Sequence, residues 1–460
     1  MAIVTTVPAS ALEFGNRIDA ELYRPSLRRS FEKIFRTGLP VKHLRQVCMI
    51  RSGTTPPDRV DGLTAGPILF KTTDIRNGVI PPKSDYYRIT DDVHRRMTKT
   101  KLEDRDVLLN IVGATLDVIG RSAFVSRLDD EANITQAMVF LRCQTPDVLP
   151  GFLFAYLNTK YGQDQIARYA RPTGQYNLNL QEVGHLCIPL LPVREQQAIE
   201  QLVLSARDLQ NISTATYAKA EQDLESALGL DNLTFQRRVG YIARFSDVGL
   251  LRRADAEFFN PELRYFQDEL SKRLPLKLLP EVADVLKFSN PTYGTIGVPI
   301  ITQKHLSNIA PSGYGDDLLA LTSWTTKNPA AVLRKFDLLY YSVGAYLGKT
   351  NQWLANDEAV HASFITMLRC HTENYSGYLQ VLLNSQYGVL QSKCFQSGTS
   401  QPYIYPKDIR RFLIPDASRS IRSMIHNLVI ESYEKSRESK LLLEQAKARV
   451  EQIIEAAVQP

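Results

Sequence analysis

Apolar and polar positions along this chain follow two different rhythms. Short apolar runs bounded by Gly and Pro fill 17–191 and again 231–416, whereas 193–228 and the stretch from Ser418 carry apolar or small residues at steps of three and four. In the first half, 19–35 predicts a short helix interrupted at Pro25, and 41–50 and 67–71 predict strands. The strongest strand is 106–112, ending at Gly113; 134–142 predicts another, and 151–169 has the length and spacing of a helix. The block Arg171-Pro172-Thr173-Gly174-Gln175-Tyr176-Asn177-Leu178-Asn179 predicts an exposed amide-rich loop, and Pro189 and Pro192 confine the last strand, 186–190, to an edge or an end. The helical stripes run through Ile199, Leu202, Ala206, Leu209, Ser213, Thr216, Ala220, Leu224 and Ala227, and through Ile421, Ile425, Leu428, Ser432, Leu442, Ala446, Val450 and Ile453. Each makes a rod of roughly 50 Å at 1.5 Å per residue. So narrow a stripe cannot stabilise a lone helix, so the two are expected to pack antiparallel on each other.

The pattern also repeats. Arg17-Ile18-Asp19-Ala20-Glu21-Leu22-Tyr23-Arg24-Pro25 returns as Arg253-Ala254-Asp255-Ala256-Glu257-Phe258-Phe259-Asn260-Pro261. Asp106-Val107-Leu108-Leu109 with Val112-Gly113-Ala114 returns as Asp337-Leu338-Leu339-Tyr340 with Val343-Gly344-Ala345, and Leu141-Arg142-Cys143 as Leu368-Arg369-Cys370. Leu157, Asn158, Tyr161 and Gly162 recur as Leu383, Asn384, Tyr387 and Gly388. A period of roughly 230 residues is far beyond the 20 to 50 of solenoids and propellers, so it implies a duplicated mixed α/β domain. A pseudo-two-fold molecule suits a ligand with two similar faces, of which duplex DNA is the commonest.

These landmarks, taken in order, resemble the specificity subunits of type I restriction-modification systems over nearly the whole chain. The resemblance implies a mixed α/β (α+β) architecture: two duplicated target-recognition domains, separated and joined by two long helices forming an antiparallel coiled coil. On that pattern 1–16 is a lead, 17–191 and 231–416 are the recognition domains, and 192–230 and 417–460 are the spacer helices. It further implies double-stranded DNA as ligand, two methyltransferase subunits as partners, and a restriction translocase that joins for cleavage. S-adenosylmethionine belongs to the methyltransferase, with no cofactor in this chain. The second half departs from the pattern where Asp416-Ala417-Ser418-Arg419-Ser420 replaces Pro192-Val193-Arg194-Glu195-Gln196.

Composition changes this picture little. With 460 residues, 44% of them hydrophobic, the chain can bury two ordinary cores, and a net charge of +6 leans toward a polyanionic partner. Five cysteines without a CxxC spacing suggest neither a disulfide framework nor a zinc site, which fits a reducing, cytoplasmic compartment. No run of 18 apolar residues predicts a membrane span.

Two strings look like catalytic chemistry and fall short of it, one on spacing and the other because Thr292 replaces a proline. Gly344-Ala345-Tyr346-Leu347-Gly348-Lys349-Thr350 has three residues between its glycines where a phosphate loop needs four. Asn290-Pro291-Thr292-Tyr293 resembles the Asn-Pro-Pro-Tyr loop of amino-methyltransferases, but no glycine-rich cofactor loop precedes it. No catalytic or metal-binding set can be singled out. What remains is an inventory of polar loop residues able to read base edges and phosphates. In the first half these are Lys71, Thr72, Thr73, Asp74, Arg76, Asn133, Gln136, Arg171, Thr173, Gln175, Tyr176, Asn177 and Asn179. In the second they are Thr302, Gln303, Lys304, His305, Thr399, Ser400, Gln401 and Tyr403. Paired loops that differ in chemistry predict an asymmetric, bipartite target. The rival readings are a self-contained methyltransferase or nuclease, which would bind S-adenosylmethionine or a divalent metal, and a helix-tethered protein adaptor.

Overall fold

The computed structural model describes residues 6–458 except 8–11, 13–16, 77, 81–85, 126–127, 129, 173, 236–239, 243, 247, 249–252, 307–309, 312–313, 315–317 and 399. Two units emerge, one of 1–214 with 435–460, the other of 215–434. In the first, runs rich in Val, Leu, Ile and Phe form a five-stranded sheet in the order Cys48–Ser52, Met138–Cys143, Val107–Asn110, Ser122–Phe124, Gly78–Val79. The second unit carries a four-stranded sheet in the order Ala283–Leu286, Ile365–Cys370, Leu338–Tyr341, Thr350–Gln352. Val107–Asn110 and Leu338–Tyr341 are buried throughout, as central strands covered on both faces must be.

The repeated landmarks acquire physical reasons here. Arg142 reaches both oxygens of Asp106 at 2.8 Å, and Arg369 reaches those of Asp337 at 2.9 and 2.7 Å. Two of the recurring sequence landmarks are thus the halves of one buried, two-pronged ion pair, made once in each unit. Tyr161 and Tyr387 are fully buried. A Cβ on Gly162 would stand 2.5 Å from the Tyr156 carbonyl, and one on Gly388 2.4 Å from that of Leu382, so each Tyr-Gly pair lets a helix start tight against its predecessor. The turns into the central strands hold Arg105 and Phe336 at φ of 72° and 77°, a left-handed conformation that non-glycine residues rarely adopt.

Several expected elements are subdivided. The stretch 41–50 is a strand, Val41–His43, then a helical turn, Leu44–Val47, then the strand Cys48–Ser52. The stretch 134–142 breaks at 135–137, because Ala132–Ile134 pairs in parallel with Ile68–Phe70 while Met138–Cys143 joins the large sheet. The helix expected over 151–169 is two, Pro150–Leu157 and Lys160–Tyr169, since Thr159 turns extended and its side chain caps the second by accepting from the Gly162 amide. The last strand, Cys187–Pro189, sits in a two-stranded pair with Val41–His43, in keeping with its prolines; Leu413–Pro415 pairs likewise with Leu276–Leu278.

Both long helices form, as Val193–Leu228 and Arg419–Ala457. Within the first unit they run antiparallel: Arg449 donates to Glu195, Ser439 Oγ to the Ala206 carbonyl at 2.6 Å, and Ser436 Oγ to Gln210 at 3.4 Å. Within the second unit Tyr217, Ala220, Leu224 and Leu228 share one apolar cluster with Ile425 and Val429. The buried line on the first helix takes Val203, Tyr217 and Leu228 where the stripe suggested Leu202, Thr216 and Ala227. Each helix also closes on its own α/β unit at a glycine. Gly151 N–H donates to Glu200 at 3.1 Å and Gly377 N–H to His426 Nδ1 at 3.2 Å. A Cβ on either glycine would fall under 3 Å from the helix backbone.

Candidate nucleic-acid interface

In the first unit four polar segments that start or end strands are tied to one another, chiefly by backbone bonds, into one loop edge. The turn Thr72–Asp74 follows strand Ile68–Phe70, whose last carbonyl accepts from Thr135 N–H at 3.2 Å; Asn110 Nδ2 donates to the Thr72 carbonyl at 3.2 Å. Ile111 N–H donates to Ala137 and Leu178 N–H to Ile111, at 3.0 and 2.9 Å. The expected amide-rich loop is in fact a small hairpin. Arg171–Pro172 pairs with Tyr176–Asn177, which pairs in turn with Val112–Gly113, and Gly174 takes a φ of 82° between them.

The second unit assembles its counterpart with the same bonds. Ala362 N–H donates to Ile301, Ser342 N–H to Phe364 and Ile404 N–H to Ser342, each at 2.9 Å, and Gly344 N–H to Pro402 at 2.7 Å. Ser397 and Tyr403 exchange backbone bonds at 2.8 and 2.9 Å, closing the hairpin.

The recurring Arg-x-Asp motif anchors both hairpins. Arg17 grips both oxygens of Asp19 and donates to the Tyr169 carbonyl at 3.1 Å. Arg253 grips Asp255 and donates to the carbonyls of Phe395 and Gln396. The hydrogen-bonded Arg17 guanidinium holds Asp19 below the usual carboxylate range, so the pair is ionised at neutral pH.

Individual candidates divide by orientation. Thr73, Arg76, Gln136, Gln175, Lys304, Ser400 and Gln401 are exposed at these edges. Lys71 is half-buried, its ammonium 3.6 Å over the Tyr87 ring, and Thr72, Tyr176, Asn177, Thr302 and Tyr403 are half-buried in turn or hairpin backbone. Asp74 caps its own turn by accepting from Lys71 N–H, and Asn179 caps helix Leu180–His185. Gln303 accepts from the Tyr341 hydroxyl at 2.7 Å. Arg171 is engaged by Glu182. Two residues are redirected to the interior. Asn133 is fully buried, donating to the Met97 carbonyl and Thr100 hydroxyl and meeting His94. His305 is buried with Nδ1 accepting from Thr302 N–H. Burial lowers His305, and takes His361 down to about 4, so neither offers a positive charge to a phosphate at neutral pH. Thr173 and Thr399 lie outside the described residues.

The same edges present residues that loop composition did not single out. Gly53 N–H and Thr54 N–H donate to Met138 and Ile134, which brings exposed Thr54 to the turn that carries Gln136, with exposed Arg51, opposite Phe140, on the strand leading into it. The signal was Gly53 itself: a Cβ there would stand 2.1 Å from the Ile134 carbonyl, a close approach only glycine permits. In the second unit Tyr346 and Tyr405 are exposed, and Tyr405 packs edge-on to Tyr403 at 4.6 Å.

Both catalytic look-alikes take ordinary local structure. Thr350–Gln352, after Lys349, is a strand, so no helix N-terminus faces a phosphate there. Asn290 Oδ1 is used by Ser363 N–H at 2.9 Å, and Tyr293 opens a short strand. Among the described residues no group of three His, Cys, Asp or Glu could hold a metal, and no helix is long and apolar enough to cross a membrane.

No protein-family model and no curated protein matches the chain. Among solved structures it is similar to the type I restriction-modification system S subunit from M. genitalium, at 11% identity over 92% of this chain and 96% of that one, with a TM-score of 0.43. It is likewise similar to the HsdS subunit from Thermoanaerobacter tengcongensis, at 18% identity over 92% and 96%, with a TM-score of 0.28. The type IIG restriction endonuclease BpuSI matches 40% of this chain and 28% of its own, at 11% identity and a TM-score of 0.29. Identities and scores this low assign neither a target nor a partner.

Proposed function

We propose that this chain is the DNA-specificity subunit of a type I restriction-modification assembly. In this reading the loop edge of each unit reads one half of a bipartite, asymmetric duplex target, and the paired helices set the distance between the halves. Catalysis belongs to partners: two methyltransferase subunits carrying S-adenosylmethionine, and a restriction translocase that joins for cleavage, in the cytoplasm. The observation that carries the reading is that the same interlocked loop edge is built twice from the same bonds but with different outward residues: Arg51, Arg76, Gln136 and Gln175 in one unit, Lys304, Tyr346, Gln401 and Tyr405 in the other. Identical scaffolds with different reading side chains are what recognition of two unlike half-sites requires.

The test is selection of the full chain on a randomised duplex library, with binding then measured as salt rises. The expected outcome is two short motifs at a fixed spacing and a steep fall of affinity with salt through counterion release. Methyl transfer is expected only after methyltransferase subunits are added. Salt-independent binding to protein alone would support the adaptor reading, and methylation by the isolated chain the enzyme reading.

A further inference from the structure

We propose that Glu182, which faces no solvent, is the positioning residue of the first reading edge, setting the hairpin and restraining the charge of Arg171. The inference rests on the DNA-reading role just proposed. The Glu182 side chain is only 1% exposed, yet it serves three separate segments. Oε1 accepts from Arg17 at 2.9 Å and from Arg171 Nε at 2.6 Å, and Oε2 accepts from Asn179 N–H at 2.9 Å. Arg17 comes from the leading segment, Arg171 from the first hairpin strand, and Asn179 from the cap of the following helix. One buried carboxylate thereby fixes both ends of the segment from Arg171 to Asn179, which contains Gln175 and Asn177. It also faces two guanidiniums, whose positive charge is balanced by Glu182 and Asp19 together.

The second unit supplies an internal control. At the matching positions it carries Ser397 and Asp408. Arg253 donates to backbone carbonyls there, and Asp408 faces Arg411 at 3.8 Å. Among the described residues the three-way junction is made in the first unit only.

The experiment compares the full chain with Glu182→Gln, an isosteric change that removes the charge and leaves one acceptor oxygen, the other becoming an NH2 donor that cannot accept. Two readouts are independent. Amide exchange without DNA is expected to speed up over 174–178 and stay unchanged over 400–405; unchanged exchange at the first hairpin would overturn the positioning role even if DNA binding proves real. Selection on the randomised duplex library is expected to weaken preference at one half-site by on the order of tenfold, the scale of a lost charge-assisted hydrogen bond, and to leave the other intact. Retention of that second motif shows that the variant is folded. Equal loss at both half-sites would overturn the proposal. With Asp19 alone left against two guanidiniums, binding to nonspecific duplex should gain about one unit of salt slope; an unchanged slope would overturn the charge-restraining part. If the unaltered chain selects no motif at all, the DNA-reading role fails while the exchange measurement still decides the junction.

Discussion

At the scale of single residues, the molecule separates polar groups that look alike in sequence by what their backbone neighbours demand of them. Asn133 and Gln136 lie three residues apart, but Asn133, within strand Ala132–Ile134, points into the interior among Met97, Thr100 and His94, and Gln136 stands on the turn that follows. Asn133→Ala should therefore cost about 1–3 kcal/mol of stability, the penalty for leaving buried partners unsatisfied, while half-site preference in the surviving folded protein stays the same. Thermal unfolding alongside library selection separates the two effects. For the hairpin amides, exposed at Gln175 and Gln401 and half-buried at Asn177, the expectation is reversed. Gln175→Ala with Asn177→Ala should relax one half-site and Gln401→Ala the other, by about 5- to 150-fold for a lost two-pronged base contact, with unfolding temperature little changed. Relaxation of both half-sites by either change would assign these residues to folding or to phosphate contact.

Among elements, each long helix meets its own α/β unit at a close approach, and there the two halves use different chemistry at matching positions. Arg105 and Glu200 form an ion pair in the first unit; Phe336 packs edge-on to His426 at 5.1 Å in the second. His426 Nδ1 accepts from Gly377 N–H, so that nitrogen must be unprotonated, and burial pushes the imidazole below the ordinary histidine value of 6.5. The sign follows from linkage. The unfolded chain takes up the proton first, so this contribution to stability is complete above about pH 6.5 and is lost as pH falls through the lower folded value. Scanning unfolding temperature from pH 7.5 to 5 should show a steeper acid loss for the native chain than for His426→Gln. Parallel profiles would mean the histidine titrates alike in the folded and unfolded states.

For the whole molecule, the proposal that helices act as a ruler has a direct test. Removing one heptad from within 210–220 shortens the first rod by roughly 10 Å, on the order of three base pairs, while keeping its buried line in phase. Because the helices run antiparallel where Arg449 meets Glu195 and Ser439 meets Ala206, a heptad must also leave the second helix, from within 425–437. The two selected motifs should stay the same and the unread gap between them should shorten. A folded, binding variant that keeps the original gap would place the ruler elsewhere.

Periodicity and repetition by themselves determined the long helices almost to the residue, the strands that carry runs of apolar side chains, and the recurrence of Arg17, Asp106, Arg142 and Tyr161 at matching places. These depend on local rhythm and on comparison of the chain with itself, and both are properties of a string. Only tertiary structure decided that Asp106 and Arg142 are partners, that 171–177 is a hairpin and not an open loop, and that Thr54 meets the turn carrying Gln136 at the edge proposed to read DNA. Those outcomes hang on bonds between segments far apart in sequence, such as Leu178 to Ile111 and Thr54 to Ile134. The direction of a polar side chain was likewise undecided until its strand found a neighbour. Asn133 meets His94 because a parallel pairing with Leu69 fixes its face of the strand, and a one-residue change of register would have turned it to the opposite face, among the apolar neighbours of Ala132 and Ile134.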